Sequence, residues 1–433
     1  MSPKSLPKSS TSTVLVLVAV LVLGLFYMFS GTDPLGLFAT AEPTNTVAVA
    51  APTKTLKPAT QPAKIPTETP KSNSAPTPTP KPGATPTAGT ASWWQVYFVT
   101  PRQISDTLAN KYSINGLPPE LMSGSTTEKL IQHIDAAKTT IHIASYETDL
   151  NDVANALIRA KQRGVDVRWI TDDGAGLLAD KKPGHGQFAM LQKAGIQVID
   201  DKRGALMHDK FWLFDGKTVW TGSTNITVSG MLQNNSNVIV IDSPELTAIY
   251  ERQWADMWAG NFNAKSPSTV NQQKLTIDGT NIQILFSPED SAISHIIPYV
   301  QGAKKSITFM AFTYTQAQLG KAMLDAMKNG VSVSGVFEAT GSDSEYGQMT
   351  PLFCAKAPVR QDGNPSFMHH KVIIIDNHIV ITGSLNFTDN ADQQNNENVI
   401  IIDNADIAKL YTAEFQRVWA AGHDPDPAKL KCK

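Results

Sequence analysis

The residues best suited to chemistry form a pattern that occurs twice in the 433-residue chain. It is a histidine, a lysine two positions later and an aspartate five positions after the lysine. The two copies consist of His208, Lys210 and Asp215, and of His369, Lys371 and Asp376. A neutral imidazole is a competent nucleophile near neutral pH, and a second, protonated imidazole can give its proton to a departing alkoxide. One site with two histidines could therefore divide attack and protonation.

A short polar segment follows each copy, Gly-Ser-Thr-Asn at 222–225 and Gly-Ser-Leu-Asn at 383–386. Ammonium, hydroxyl and amide groups can stabilise the charge on phosphoryl oxygens in a five-coordinate transition state. The predicted chemistry is cleavage of a phosphodiester bond that requires neither a metal ion nor a cofactor. The residues predicted to bind the substrate phosphate are Ser223, Asn225, Ser384 and Asn386.

A β-hairpin is predicted to carry each copy. His208 and Lys210 share one strand face, because side chains alternate along a strand. Asp215-Gly216 is a hairpin turn signal, after which the chain returns to the Gly-Ser-Thr-Asn segment. Both aspartates of the pattern are grouped with the catalytic residues, but aspartate is also a favoured turn residue, so a structural role is equally open. His370 points to the opposite face from His369 and is interpreted as an incidental neighbour.

The body of the chain contains an internal duplication. AAKTTIHIASYETD at 136–149 matches GAKKSITFMAFTYT at 302–315, and MHDKFWLFD matches MHHKVIIID 161 residues later. Alternating helices and strands in each copy predict the α/β class, with two similar α/β/α sandwich halves related by a pseudo-twofold axis. The predicted halves span 93–270 and 271–433.

The two copies predict the same succession of elements, in which a helix leads to a strand, and a second helix leads to a second strand. The predicted helices are 128–137, 152–163, 294–303 and 318–329, and the predicted strands are 140–144, 165–170, 306–311 and 331–337.

The first 92 residues differ from the rest in composition. The run from Val14 to Phe29 has no charged residue and follows two lysines, which predicts an uncleaved anchor with a cytoplasmic N-terminus and the body outside the membrane. A cleaved signal peptide is the alternative. A stretch rich in Pro, Thr and Ala follows, and such a composition favours an extended, disordered linker. The predicted segments are a cytoplasmic tail at 1–12, one transmembrane signal anchor at 13–30 and the linker at 31–92.

These residues closely resemble the phospholipase D superfamily, whose mark is a pair of His-x-Lys-x4-Asp motifs, each followed by Gly-Ser-x-Asn. The resemblance covers the body from about Trp93 to Lys433. It implies a covalent phosphohistidine on one motif histidine, while the other acts as an acid and then as a base toward water or an alcohol. Which histidine attacks is open, with a preference for His208, because many single-chain members use their first motif. The duplication also predicts an active site that is complete in a monomer.

The two copies differ at one supporting position. The family often places a carboxylate after the Gly-Ser-x-Asn segment to orient a catalytic imidazole. The second copy has Glu397 there, whereas the first has Ser236. This difference suggests that the two histidines are tuned differently. Alternatively one half is less active, or Asp215, Asp242 or another acid substitutes.

The favoured function is hydrolysis of phospholipid head groups at a cell membrane. Residues 92–433 contain 30 basic and 36 acidic residues, so the body lacks the broad basic surface that provides non-specific affinity for nucleic acid. A nuclease with the same site is the first alternative, and a phosphatidyltransferase is the second. Two complete motifs disfavour a non-catalytic scaffold. A basic cleft flanked by four residues would favour the nuclease, namely Lys138, Arg159, Lys161 and Arg163.

The chain has two cysteines, Cys354 and Cys432. They are either two unpaired thiols or a disulfide that ties the C-terminus to the second half, which an oxidising compartment would permit. Neither their number nor their spacing suggests a zinc site.

Overall fold

The computed structural model describes residues 89–90, 93–262 and 273–432. The predicted cytoplasmic tail and transmembrane anchor lie outside these residues, as does the linker apart from its residues 89–90. The predicted boundary between the halves also lies outside them. Within the described ranges, no helix combines the length and apolar character needed to cross a bilayer.

The described strands form two mixed sheets of eight strands each. The first, in the order β1-β2-β8-β7-β6-β3-β4-β5, contains β1 Gly89–Thr90, β2 Trp94–Phe98, β3 Thr140–Ser145, β4 Asp166–Thr171, β5 Gln197–Asp200, β6 Lys210–Phe214, β7 Thr218–Gly222 and β8 Asn237–Asp242. The second, in the order β13-β12-β11-β14-β15-β16-β10-β9, contains β9 Lys274–Ile277, β10 Thr280–Ser287, β11 Ser306–Ala311, β12 Ser332–Phe337, β13 Val359–Gln361, β14 Lys371–Ile375, β15 Ile379–Gly383 and β16 Glu397–Asp403. When the second order is read in reverse, from β9 to β13, it matches the first strand by strand.

Helices connect these strands. They are α1 Asp106–Asn115, α2 Pro119–Met122, α3 Thr126–Ala136, α4 Asn151–Gln162, α5 Gln187–Lys193, α6 Val228–Leu232, α7 Pro244–Trp258, α8 Ala292–Gly302, α9 Ala317–Lys328, α10 Met349–Cys354, α11 Asp389–Gln393 and α12 Ala405–Ala421. A short π-helix, Asp173–Leu178, and a 3-10 turn, Ala179–Lys181, follow β4.

The elements predicted from the duplication are all present, and their ends agree to within two residues. The periodicity succeeded because each helix buries one apolar stripe; Leu130 and Ile134 of α3, for example, are both buried. The helix begins before its first apolar position because the Ser125 hydroxyl caps it, accepting a hydrogen bond from the Glu128 N–H at 3.1 Å. The predicted α/β class with two sheets is confirmed.

The two sheets share one core. Side chains from both contribute to it, among them Phe211 and Tyr250 of the first half and Phe286 of the second. The Tyr250 ring lies 5.0 Å from Phe211 and 5.2 Å from Phe286, measured between ring centroids, in edge-to-face contacts. Two further cores lie within the individual halves, between each sheet and its own helices. The shared core fixes the two sheets relative to each other.

Each motif hairpin ends in a tight turn. Asp215 and Gly216 have φ of 54° and 62°, and the Lys217 N–H donates to the Phe214 carbonyl at 2.9 Å. Two central residues with positive φ are the mark of the type I′ turn that suits β-hairpins. The Asp215 carboxylate accepts hydrogen bonds from three successive backbone N–H groups, at 138–140. Asp376 does the same for the equivalent N–H groups at 304–306.

The two cysteines are joined. Cys354, the last residue of α10, forms a disulfide with Cys432 and closes a loop of 78 residues. The bridge ties the C-terminal segment to the second half, which decides between the two possibilities that the sequence left open.

Replacement of Asp215 by asparagine should destabilise the fold. Burial alone would raise the pKa of Asp215, but the backbone donors outweigh that effect and lower it. We expect Asp215→Asn to reduce the free energy of unfolding at pH 7 by about 1–2 kcal/mol, since hydrogen bonds to a charged acceptor are stronger than neutral ones. Because the folded-state pKa is depressed, this difference should shrink once the pH falls below about 4.

Urea unfolding at neutral and acidic pH measures this effect, with the exposed Asp256→Asn as control. Equal stability of Asp215→Asn and the wild type at pH 7 would contradict an anchoring role.

Candidate active site

The two His-Lys pairs lie at the carboxyl ends of parallel strands. Ser145, the last residue of β3, pairs with Lys210, the first residue of β6. Ala311 of β11 pairs with Lys371 of β14 in the same way. Ligands of open α/β sheets commonly bind at this edge. The topology therefore places both motifs where a substrate site is expected.

Each motif histidine is fixed by the opposite half. The His208 N–H donates to the Asn396 carbonyl at 2.9 Å, and the His369 N–H donates to the Asn235 carbonyl at 2.8 Å. Asn235 and Asn396 occupy equivalent positions of the duplication, 161 residues apart. This reciprocity is what the predicted pseudo-twofold arrangement requires, and it makes one site from two halves.

The carboxylate of Glu397 crosses from the second half to the first. His208 Nδ1 lies 2.9 Å and 2.8 Å from the two carboxylate oxygens of Glu397, and both side chains are buried. A carboxylate can only accept in this contact, so Nδ1 carries the proton and Nε2 keeps its lone pair. Glu397 thus orients the histidine of the other motif, which the sequence did not specify.

Burial sets the charge state of this pair. It lowers the pKa of His208 to about 4, although the negative charge of Glu397 opposes the shift. Burial alone would raise the pKa of Glu397, but attraction to His208 and to Lys210 outweighs this effect and holds it below its usual value. At neutral pH the carboxylate is therefore ionised and the imidazole neutral, with a free Nε2.

His369 has a different partner. Its Nδ1 lies 2.8 Å from the backbone carbonyl of Ser223, which accepts the hydrogen bond. The residue equivalent to Glu397, Ser236, has a buried hydroxyl without a hydrogen-bond partner. Burial lowers the pKa of His369 well below its ordinary value, and the charges of Lys371 and Lys210 act in the same direction. The two imidazoles are therefore in unequal environments.

The two motif lysines are buried cations. Lys210 Nζ donates to the His208 carbonyl at 2.8 Å, and Lys371 Nζ donates to the His369 carbonyl at 3.1 Å. Burial lowers the pKa of Lys210 to about 8. For Lys371, burial and repulsion by Lys210 lower the pKa well below its usual value. An anion bound between the lysines would relieve this repulsion, as a phosphate group can.

An aromatic ring packs against each His-Lys pair. Tyr146 follows β3 and lies 5.0 Å from the His208 ring, with Lys210 Nζ 5.1 Å from its centroid. Phe312 follows β11 and lies 4.7 Å from the His369 ring. Sequence reasoning missed both rings. They could have been found as equivalent residues directly after matching strands.

The asparagines and serines have different positions. Asn225 and Asn386 are partly exposed, and their side-chain oxygens lack hydrogen-bond partners. Ser223 and Ser384 are fully buried. The Ser223 hydroxyl accepts a hydrogen bond from the backbone N–H of Asn237, and the Ser384 hydroxyl accepts one from the backbone N–H of Asn398. The two asparagines are therefore partly accessible, whereas the predicted phosphate-binding serines are buried.

Glu147 makes the two halves differ further. It accepts a hydrogen bond from Asn225 Nδ2 at 2.6 Å, and burial raises its pKa to about 6. The equivalent residue of the second half is Thr313. The amide nitrogen of the first asparagine is thus engaged by a carboxylate that sequence reasoning did not consider.

The structure does not bring Asp215 and Asp376 to the site. Each lies at the turn of its hairpin, five residues beyond the motif lysine, which corresponds to about 17 Å along a strand. Their carboxylates accept hydrogen bonds from the backbone N–H groups at 138–140 and 304–306, at the start of β3 and β11. Their grouping with the catalytic residues is corrected to a structural role.

The four basic residues whose cleft would favour a nuclease lie at the opposite end of the first sheet from the motif histidines. Lys138 precedes β3 and its N–H donates to Asp215, so it lies beside the turn. Arg159 pairs with Asp135, and Arg163 donates to the Ile134 carbonyl. Together with Lys161, these residues precede the amino ends of β3 and β4, away from the histidines.

Three carboxylates of the described part of the chain are close enough to hold a metal ion: Asp172, Asp173 and Asp201. Asp172 already accepts three backbone N–H groups, including that of Met207 at 3.1 Å, and Asp201 pairs with Arg203 at 3.1 Å. Asp172 and Asp201 thus bind Met207 and Arg203, and they hold in place the segment that precedes His208.

The family described as cardiolipin synthase, PLD-like domain, matches residues 130–258 and 296–419, together more than half of the chain. The chain belongs to the phospholipase D superfamily. Each matched segment contains one His-Lys pair with its Gly-Ser-x-Asn segment, so the superfamily assignment covers both halves of the site.

Individual relatives match mainly one half. The mitochondrial cardiolipin hydrolase of Xenopus laevis is 36% identical over 139 residues, which are 32% of this chain and 65% of that protein. The phospholipase D of Rickettsia prowazekii is 32% identical over 155 residues, which are 35% of this chain and 76% of that protein. The chain thus spans slightly less than two thirds of the frog enzyme.

A solved structure covers more of the body. The phosphatidylserine synthase of Haemophilus influenzae aligns with a TM-score of 0.55 over 69% of this chain and 84% of that one, at 14% identity. At this level of identity the similarity is one of fold.

The protonation of His208 is testable by 15N-histidine NMR. We expect neutral His208, protonated at Nδ1, from neutral pH down to about pH 4. Because the charge of Glu397 raises the pKa of His208, Glu397→Gln should move the titration to lower pH. The signal is identified by its loss in His208→Gln.

The exposed Glu345→Gln is the matched control and should leave the titration in place. A proton on Nε2, or a midpoint near the ordinary value of about 6.5, would refute the described pair.

Proposed function

We propose that the chain is a metal-independent phosphodiesterase of the phospholipase D type, in which His208 is the nucleophile and His369 the acid and base. The observation that carries this proposal is the hydrogen bond from His208 Nδ1 to Glu397, which leaves Nε2 unprotonated. His369 has no carboxylate partner and lies close enough to the two lysines for their charges to lower its pKa.

The proposed reaction has two steps. His208 Nε2 attacks phosphorus, and the bond to the leaving alcohol breaks as protonated His369 gives its proton to that oxygen. Neutral His369 then takes a proton from water, whose oxygen attacks phosphorus and releases His208. A bound phosphate anion raises the pKa of His369 and so favours the protonated form needed first.

The non-bridging oxygens would be held by the positive and polar groups around the site. Lys210 and Lys371 supply charge, and the partly exposed Asn225 and Asn386 donate through their amide nitrogens, of which that of Asn225 also donates to Glu147. Charge stabilisation of this kind is the part that metal ions play in many phosphoryl transfers. The proposal therefore includes no metal ion and no cofactor.

Phospholipid is the proposed substrate. Three exposed hydrophobic side chains, Leu178, Tyr346 and Phe367, lie on segments that follow β4 and β12 or directly precede His369. These segments are at the site edge of the sheets, where apolar groups would contact lipid. The basic residues that would have favoured a nuclease lie at the other end. Relatives named cardiolipin hydrolase and phospholipase D agree with this choice.

We also propose that the protein is a single-pass protein of the cell membrane with its body outside the cytoplasm. The uncharged run at 13–30 and the lysines before it support this orientation. The Cys354–Cys432 disulfide supports an oxidising compartment.

The function is tested with the full chain in detergent on cardiolipin vesicles, phosphatidylcholine vesicles and labelled single-stranded DNA. We expect lipid cleavage that is unchanged by EDTA, and a loss of about 1,000-fold or more in His208→Ala and in His369→Ala. The exposed His378→Ala is the matched control and should keep full activity.

The other outcomes have distinct meanings. Release of nucleotides alone would replace the proposal by a nuclease. Products joined to an added alcohol, without hydrolysis, would indicate a transferase. Loss of activity in EDTA would overturn the metal-independent mechanism.

A further inference from the structure

A buried network of charged and polar side chains lies behind His369. His370 is fully buried, with Nδ1 at 3.0 Å from Asn237 Oδ1 and Nε2 at 3.0 Å from Glu414 Oε1. Arg417 donates to Glu414 through Nε at 2.8 Å and through Nη2 at 2.6 Å. The same Nη2 donates to Asn235 Oδ1 at 2.7 Å. His370 is therefore not an incidental neighbour.

Both ends of this network reach His369. At one end, the Asn235 carbonyl accepts the backbone N–H of His369 at 2.8 Å. At the other end, Asn237 Oδ1 accepts the Ser223 hydroxyl at 3.1 Å, and the Ser223 carbonyl accepts His369 Nδ1 at 2.8 Å. The backbone and the ring of His369 are thus both held by residues that the network binds.

The described residues of the first half do not repeat this network. The positions equivalent to His370, Glu414 and Arg417 are Asp209, Gln253 and Asp256. The Asp209 carboxylate is buried without a hydrogen-bond partner, Gln253 donates to Glu289, and Asp256 is exposed. The network therefore accompanies the one motif histidine that lacks a carboxylate partner.

Stability alone does not account for a buried ion pair, because well-packed apolar residues stabilise as well or better. The contacts of this pair converge on His369 instead. A hydrogen bond to a backbone carbonyl orients an imidazole only if that carbonyl is itself held in place. Ser223 and Asn235 supply the two carbonyls, and the network holds both residues.

We infer that His370, Glu414 and Arg417 are positioning residues that set the ring of His369 through Ser223 and Asn235. They do for His369 what Glu397 does for His208. This inference rests on the proposed function and deepens it, because it assigns the alignment of the acid and base to the network. Loss of the network should slow the step that needs His369 as a base and spare attack by His208.

Bis(p-nitrophenyl) phosphate separates these steps. p-Nitrophenolate leaves without a proton, so formation of the phosphohistidine does not need His369, whereas its hydrolysis does. With the full chain in stopped flow, Arg417→Met should give a stoichiometric burst of p-nitrophenolate at the wild-type rate. Its steady-state rate should fall about 10- to 100-fold, the scale expected for a misplaced catalytic group.

Further variants sharpen the test. Arg417→Lys keeps a cation beside Glu414 and should recover part of the steady-state rate. Asp256→Met, at the equivalent position of the first half, should change neither phase. His370→Gln leaves the Arg417–Glu414 pair in place and should also keep the burst while lowering the steady-state rate. It provides the test if Arg417→Met does not fold.

The inference fails if Arg417→Met and His370→Gln turn over at the wild-type rate. It also fails if burst amplitude and steady-state rate fall in proportion in both variants, because the network then acts only on the amount of folded enzyme. His369→Ala should show a burst without turnover. If it does so and Arg417→Met turns over normally, the positioning inference alone is overturned. If His369→Ala shows no burst or turns over normally, the role of His369 and the inference fall together.

Discussion

A carboxylate from one half of the chain holds an imidazole of the other, and much of the structure follows from this contact. Glu397 must be ionised and buried within 2.9 Å of His208, so both halves must meet at a fixed register. The shared core supplies that register, since side chains from both sheets pack into it. The reciprocal backbone bonds of His208 and His369 then fix the two motifs against each other.

Other buried groups of the body impose a cost. Two buried lysines repel each other, and Asn225, Asn386 and Asp209 keep buried oxygens without hydrogen-bond partners. Such groups destabilise a fold unless something else binds them. The cores on both sides of each sheet offset this cost, and a bound phosphate would accept hydrogen bonds from the two lysines. The repulsion between Lys210 and Lys371 thus falls on two groups that the proposed chemistry uses.

Local pattern was enough to predict most of the fold. Apolar periodicity and the duplication gave eight elements to within two residues, and the turn signals gave both hairpins. The distance from Lys210 to Asp215 was also available from the sequence, because five residues of strand separate their side chains by about 17 Å. Asp215 was grouped with the catalytic residues because it belongs to the motif, although this spacing places it far from Lys210.

Contacts between the halves could not be predicted in the same way. The sequence contains Glu397 but does not specify that it reaches His208 rather than the histidine of its own half. His370 was expected to point away from the site, and it does. What it meets there depends on α12, which follows more than thirty residues later.

A duplicated site in one chain allows its two halves to diverge. In a symmetric arrangement either histidine could act as the nucleophile, because both would have the same partners. Here the positions that hold Glu397, Glu147 and His370 in one copy of the duplication hold Ser236, Thr313 and Asp209 in the other. The two roles have opposite requirements, since a nucleophile must be neutral and an acid protonated. Two identical, interacting imidazoles can share one proton, but identical surroundings do not determine which of them carries it. Unequal partners do, and the supporting residues differ here while the motifs themselves remain alike.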